Sequence, residues 1–369
     1  MITILYDGWP LVYQPNSPEA LHLLALLHSR PPGVQALVAL PGEPPPWLPP
    51  SEVIAHVLPT NDALRARLVW EQRTLPNLCR RVGAALLHLT SSHPPLFGAT
   101  ASVVSPCILD EAPYPPGFRE RSLNERLRAA FSQGGMARLG GLFWPSDLPD
   151  LGGTAPVYPL PPVVYPEFTT GGTAQDDGLA VEKLDLPQSY VLYHGPSDEE
   201  TLRRLLSAWS WVVGALGNAF PLLALGLGEE GRERLSSLAT AYPLGETVRS
   251  LSALTPDTLA IVYRHGAALF HPATEPPWGG SVRMALTSGT PVVSIEDRRT
   301  DALVGPAAYL AQIDDTRALG AALITVLVEE GVAEQLSKAG RERTSSWSLL
   351  QPFGQRLLAA YINILERPK

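Results

Sequence analysis

Apolar residues fall along this chain in short unbroken runs separated by longer stretches of helical spacing. The two patterns alternate almost to the end. Strand-length runs stand at Ile2–Tyr6, Val34–Leu40, Val53–Val57, Ala84–Leu89, Ser102–Ile108, Gly141–Trp144 and Ala155–Leu160. Between them, Pro18–Ser29, Asp62–Glu71, Leu75–Gly83 and Leu123–Gln133 repeat apolar positions every three or four residues, as helices with one buried face do. Strands that are apolar without alternation are buried on both faces, so the pattern predicts parallel sheets covered by helices. From 165 to 187 the sequence turns polar, rich in Gly, Thr and Asp and without a period, which reads as a linker.

A second α/β pattern follows. Strands are expected at Tyr190–Tyr193, Pro221–Leu225, Thr247–Leu251, Ala268–His271, Val292–Ile295 and Ala307–Ala311. Helices are expected at Glu199–Val213, Glu229–Leu238, Pro256–Arg264, Ser281–Thr287, Thr316–Glu329, Val332–Arg343 and Leu349–Leu365. The organisation this predicts is a first domain over 1–164, a linker over 165–187, a second domain over 188–345, and a terminal helix in 346–369 that crosses back to the first. The stretch from Ala268 to Glu296 organises the second half. It reads as strand, polar turn, helix, Gly-Thr-Pro break and buried strand, a parallel βαβ unit. Ligands of open α/β sheets bind outside the carboxyl ends of such strands, and Glu275 falls there.

Composition narrows the class. A chain of 369 residues with 45% hydrophobic and 17% charged residues has material for two cores. The net charge of −8 argues against a nucleic-acid partner. The basic residues are nearly all Arg, Lys occurring only at 183, 338 and 369. Cys79 and Cys107 point to a reducing compartment, with a disulfide between them left open, and are too few for a metal cluster. No signal-peptide pattern and no apolar run of about 18 residues is present. A cytoplasmic protein is expected, with membrane association as an open alternative.

Three stretches resemble the family 4 retaining glycosyltransferases. Trp70-Glu71-Gln72 with Leu75-Pro76 and LCRRVGAALLHLTSS resembles that family's "WEQ…LP…GADLLHS" segment. SYVLYHG with LRRLLSAW resembles the opening of its donor domain. Gly289-Thr290-Pro291-Val292-Val293 reproduces the end of its E-x7-E region. The resemblance implies a GT-B fold, two Rossmann-like doubly wound domains facing a cleft, with helices at the C-terminus. It also implies a nucleotide-sugar donor, no metal and no cofactor, and a bacterial-type role in polysaccharide biosynthesis.

The same resemblance locates a site and shows where this chain departs from the family. Glu275 matches the first Glu of E-x7-E, close to the donor sugar. The second, which grips the ribose, is replaced by Arg283 or Met284, depending on the direction of counting. The family's basic residue after the first donor-domain strand is replaced by Gly195-Pro196-Ser197-Asp198-Glu199-Glu200. Arg203, Arg204, Arg264 and Arg283 are the candidates to meet the diphosphate instead. His194, Gly195, Trp278, Gly279, Gly280 and Ser281 complete the donor-binding set. The family's His-Asp pair appears as Leu109-Asp110, so Asp110 joins Glu275 as a catalytic candidate. Its glycine-rich loop appears as WPLVYQPNSP.

Other features carry blander readings. Gly226-Leu227-Gly228-Glu229-Glu230-Gly231 has the dinucleotide spacing, but two glutamates crowd the phosphate position. Glu275 could be a solvated loop carboxylate, and Trp278 could pack on its own helix. His88, on an apolar strand, reads as a core histidine, and His22 and His28 as structural. Two main readings follow. One is a divergent transferase moving a hexose to a glycan or lipid-linked acceptor with retention. The other is a degenerate GT-B protein that partners an active glycosyltransferase. A phosphorylase using pyridoxal phosphate is disfavoured, because neither Lys183 nor Lys338 is suitably placed.

Overall fold

A computed structural model describes residues 1–48, 53–108, 122–150, 155–169, 174–347 and 349–367. The chain divides into two compact units. The first comprises Met1–Val163, Pro276–Gly279 and Leu349–Lys369; the second comprises Val164–Glu275 and Gly280–Ser348.

The first unit holds a parallel sheet of β1 (Ile2–Asp7), β2 (Val34–Leu40), β3 (Val53–Val57), β4 (Leu86–Leu89), β5 (Ala101–Val104), β6 (Gly141–Pro145) and β7 (Val157–Leu160). The strand order is β3-β2-β1-β4-β5-β6-β7. Leu5, Leu37, Leu87 and Val104 pack against Trp9, Trp70, Leu75 and Leu78 to form one core. The Leu350–Glu366 helix belongs to this unit and is tied to its sheet by polar contacts. Tyr361 Oη lies 3.0 Å from Tyr6 Oη and 2.6 Å from His88 Nδ1, while His88 Nε2 meets Ser105 Oγ at 2.8 Å. Burial pushes His88 down to about 3, so it stays neutral as a satisfied core residue.

The second unit holds β8 (Val191–Tyr193), β9 (Leu222–Ala224), β10 (Val248–Ser250), β11 (Ala268–His271), β12 (Val292–Ile295) and β13 (Ala308–Ala311). All pairings are parallel, in the order β10-β9-β8-β11-β12-β13. The amphipathic Glu199–Leu216 helix buries Leu202, Leu205, Leu206 and Trp209 in a core with Val191, Phe270, Val293 and Leu323. Gly289 ends the Ser281–Ser288 helix at φ 75°, a left-handed turn that suits glycine, and Thr290 Oγ1 then donates to Tyr263 O at 2.6 Å.

The structure differs from the sequence reading in several places. The polar segment expected as a linker carries a turn at Pro166–Phe168 and a helix at Ala174–Lys183, both within the second unit. Its order comes from Arg264, which grips Asp177 with Nε and Nη2 at 3.0 and 2.7 Å and also donates to Glu167 O at 2.7 Å. The helix expected over Asp62–Glu71 begins at Leu64, and from Trp70 to Thr74 it widens into a π-helical turn. The strand expected over Ser102–Ile108 stops at Val104. Short helices at Trp9–Tyr13 and Arg298–Val304 were not legible in the pattern. Among the described residues, no helix is long and apolar enough to cross a membrane.

Candidate functional site

The strand order of the second sheet reverses between β8 and β11, so the crevice beyond their carboxyl ends is where a ligand is expected. His194 and Gly195 leave β8 there, and Pro272 to Glu275 leave β11. His194 is buried, and its Nδ1 lies 2.8 Å from Tyr263 Oη.

Glu275 is the centre of this edge, and it is not a solvated loop carboxylate. Its exposure is 0%. Oε1 accepts from the backbone N–H groups of Val282 at 3.0 Å and Arg283 at 3.3 Å. The carboxyl therefore caps the Ser281–Ser288 helix, whose N-cap residue, Gly280, has no side chain to do so. A Cβ at Gly280 would overlap Oε1, so glycine at 280 is a condition for this cap. Oε2 lies 3.4 Å from His271 Nε2, and neither atom has another partner among the described residues. Ser281 Oγ lies 3.0 Å from His271 Nδ1 and fixes the ring.

Burial dominates the protonation of this pair. Desolvation pushes Glu275 up to about 8 against the backbone bonds from Arg283 and Val282 and the Arg283 charge. Desolvation likewise pulls His271 down to about 4. At neutral pH Glu275 holds its proton and His271 is neutral. The carboxyl can then donate from Oε2 toward the imidazole while Oε1 caps the helix. A neutral cap leaves the positive end of the helix dipole unquenched.

The candidate cations fare differently. Arg204 stands at the crevice: its Nη1 donates to Pro272 O, beyond β11, at 3.1 Å, and its Nη2 to Glu200 at 3.0 Å. Glu200 is 86% exposed, so that pairing holds Arg204 only weakly. Arg203 lies on an exposed face with Glu199 at 2.6 Å. Arg264 is committed to Asp177 and Glu167, which removes it from the phosphate-facing set. Arg283 is fully buried, with its guanidinium carbon 5.0 Å from the Trp347 ring centroid. Met284 is also buried on that helix, so neither position of the second Glu presents a carboxylate.

Trp278 does not serve a ligand base and does not pack on its own helix. It is counted in the first unit, where it is fully buried, stacks on His22 at 4.6 Å and donates from Nε1 to Phe143 O at 3.0 Å. Gly279, at φ 65°, turns the chain beside it. Ser281 belongs to the site through His271. Asp110 lies outside the described residues. His271 and Tyr263 were missed; the one signal for His271 was a histidine at the end of an otherwise apolar strand.

Residues 184–343 match the family model described as glycosyl transferases group 1. No curated protein matches the chain by sequence. Among solved structures the chain is similar to WaaG, a glycosyltransferase involved in lipopolysaccharide biosynthesis, at 15% identity over 98% of this chain and 99% of that one, with a TM-score of 0.71. It is similar to Anabaena HepE in complex with UDP and glucose at 13% identity over 98% and 100%, TM-score 0.71. It is also similar to sucrose-phosphate synthase from Thermosynechococcus elongatus at 16% identity over 99% and 97%, TM-score 0.67. The two α/β units with their parallel sheets have the GT-B fold.

Proposed function

We propose that this chain, whose residues 184–343 match the family model described as glycosyl transferases group 1 and whose fold is GT-B, is a glycosyltransferase that takes a hexose from a nucleotide-sugar at the carboxyl edge of its second sheet. The observation that carries this reading is the convergence of Arg204, His194 and the Glu275-capped helix on the β8–β11 reversal. Arg204 supplies the positive charge that the acidic Asp198-Glu199-Glu200 turn does not, and it would stabilise the leaving diphosphate. The N-terminus of the Ser281–Ser288 helix, capped by a protonated Glu275, adds its dipole. HepE structures with UDP and with UDP-glucose support a uridine-type donor. Transfer to a glycan or lipid-linked acceptor with retention follows the family resemblance. Incubation with labelled nucleotide-sugars tests it: transfer or slow hydrolysis of one donor, reduced at least tenfold in Arg204→Ala, is expected. Absence of turnover with every donor would sink the reading.

One observation favours a second reading, a degenerate partner of an active glycosyltransferase. The two helix N-termini that follow β8 and β11 are already filled, by Asp198 on Thr201 N at 2.9 Å and by Glu275 on Val282 N at 3.0 Å. Neither helix then offers a free backbone cradle for phosphate. Turnover with any nucleotide-sugar refutes this reading.

A further inference from the structure

The carboxyl edge of the first unit's sheet carries a polar cluster that donor binding does not use. Its strand order also reverses, between β1 and β4, so a crevice belongs there as well. The register pairs Tyr6 with His88, and Trp9 and Ser91 follow where those two strands leave the sheet. Trp9 is 0% exposed and Ser91 7%, and neither Trp9 Nε1 nor Ser91 Oγ has a hydrogen-bond partner among the described residues. His93 Nδ1, two residues further on, is a third buried atom without one. Folded proteins leave few such atoms, because each costs about 1–3 kcal/mol.

Beside them stands a pair of arginines on one carboxylate. The π-helical turn at Trp70–Thr74 points three consecutive side chains in useful directions. Trp70 Nε1 donates to Asp7 Oδ1 at 2.8 Å, and Gln72 Oε1 accepts from Leu96 N at 2.9 Å. Glu71, 1% exposed, accepts from Arg67 Nε at 3.2 Å and is gripped by Arg128 through Nε at 3.0 Å and Nη2 at 2.6 Å. Arg67 gives Glu71 only its Nε, and its guanidinium carbon lies 5.7 Å from the Trp9 ring centroid. Both arginines act on His93 and, with its burial, keep it neutral. The other carboxyls of this edge, Asp7 and Glu19, are pushed up by burial, which weakens their claim on the arginines. A π turn is uncommon and is often found at functional sites.

We propose that this edge binds an oxyanion, the phosphate or carboxylate of a small molecule, with Arg128 neutralising Glu71, Arg67, which Glu71 holds by Nε alone, supplying charge, and Trp9, Ser91 and His93 supplying hydrogen bonds. Trp9 Nε1 can only donate, Ser91 Oγ and His93 Nδ1 are able to donate, and Arg67 adds positive charge, a set that suits an oxyanion better than a neutral polyol. Trp70, which donates to Asp7, also lines a cavity of about 580 Å³ together with Arg65, Thr60 and Thr74. The proposal is independent of the donor reading.

The test is thermal-shift titration of the whole chain with inorganic phosphate, a hexose phosphate, a uronate, a neutral hexose, and vesicles with and without phosphatidylglycerol. Trp9→Phe, which keeps the ring and removes the N–H, and Ser91→Ala are measured alongside. At least one anion should stabilise the protein and the neutral hexose should not. Which anion responds separates free phosphate, a soluble acidic sugar and a lipid headgroup. Each variant should weaken that anion about tenfold to a hundredfold, the weight of one hydrogen bond to a charged group. Ser91→Ala should leave the ligand-free Tm unchanged or higher, since it removes an unsatisfied hydroxyl. Nucleotide titration of the same variants should match the parent, which keeps the outcome separate from the donor site. The proposal is overturned if no anion shifts the Tm, if the neutral hexose does so equally, or if both variants bind the anion as the parent does.

Discussion

Replacing Glu275 with Gln tests the protonation of the second unit's site in isolation. The amide preserves an oxygen for the Val282 and Arg283 N–H groups and a donor toward His271 Nε2, so it mimics the protonated acid. Glu275 rises from 4.5 to about 8 on folding. Its contribution is therefore fully present below pH 4.5 and lost as pH climbs through about 8. His271 falls from 6.5 to about 4, so its contribution is present above pH 6.5 and lost as pH drops toward 4. The two slopes oppose each other between pH 4.5 and 6.5, and Glu275 acts alone from 6.5 to 8. Over that window the parent should lose about 2 kcal/mol relative to Glu275→Gln, at about 1.36 kcal/mol per pH unit. For a unit of this size that is a relative fall in Tm of about 4–8 °C. Calorimetric scans of both proteins at pH 6.5, 7.25 and 8 read it directly. Parallel pH profiles would refute the assignment of a neutral, buried Glu275.

Gly280→Ala should displace Glu275 from its cap and cost about 2–4 kcal/mol, the sum of a lost N-cap and a buried carboxyl left unsatisfied, read by denaturant unfolding. Arg264→Ala should release the Ala174–Lys183 helix, seen as faster hydrogen exchange across that segment, and cost about 3 kcal/mol while leaving nucleotide affinity unchanged. Trp278→Ala should destabilise the first unit by about 3–5 kcal/mol, and Trp278→Phe by about 1 kcal/mol for its bond to Phe143 O.

Much of the fold was legible because its strands are apolar on both faces. Val34–Leu40 and Val292–Ile295 announce themselves, and Gly289-Thr290-Pro291 punctuates the helix before the latter. The Ala174–Lys183 helix was not legible, because its sequence is polar and its order comes from Arg264, far along the chain. The π turn at Trp70 was hidden for a related reason: it is set by what Trp70, Glu71 and Gln72 reach, not by periodicity. Glu275 was found as a position but not as a helix cap, since the cap depends on the space left by Gly280. Spacing alone could not separate Arg204, which reaches Pro272, from Arg264, which holds a helix. Trp278 was placed with the donor because its loop joins β11 to the capped helix, yet its ring belongs to the first unit's core.

The proposed transferase requires a nucleotide site at the carboxyl edge of the second sheet. Titration calorimetry with UDP, GDP and ADP at low salt, on the parent and on Arg204→Ala, tests that most directly. One nucleotide should bind the parent, and at about a hundred times its dissociation constant it should add about 2.7 kcal/mol to stability. The variant should bind it at least tenfold more weakly. Binding of no nucleotide, or equal binding by parent and variant, would contradict the assignment of that edge.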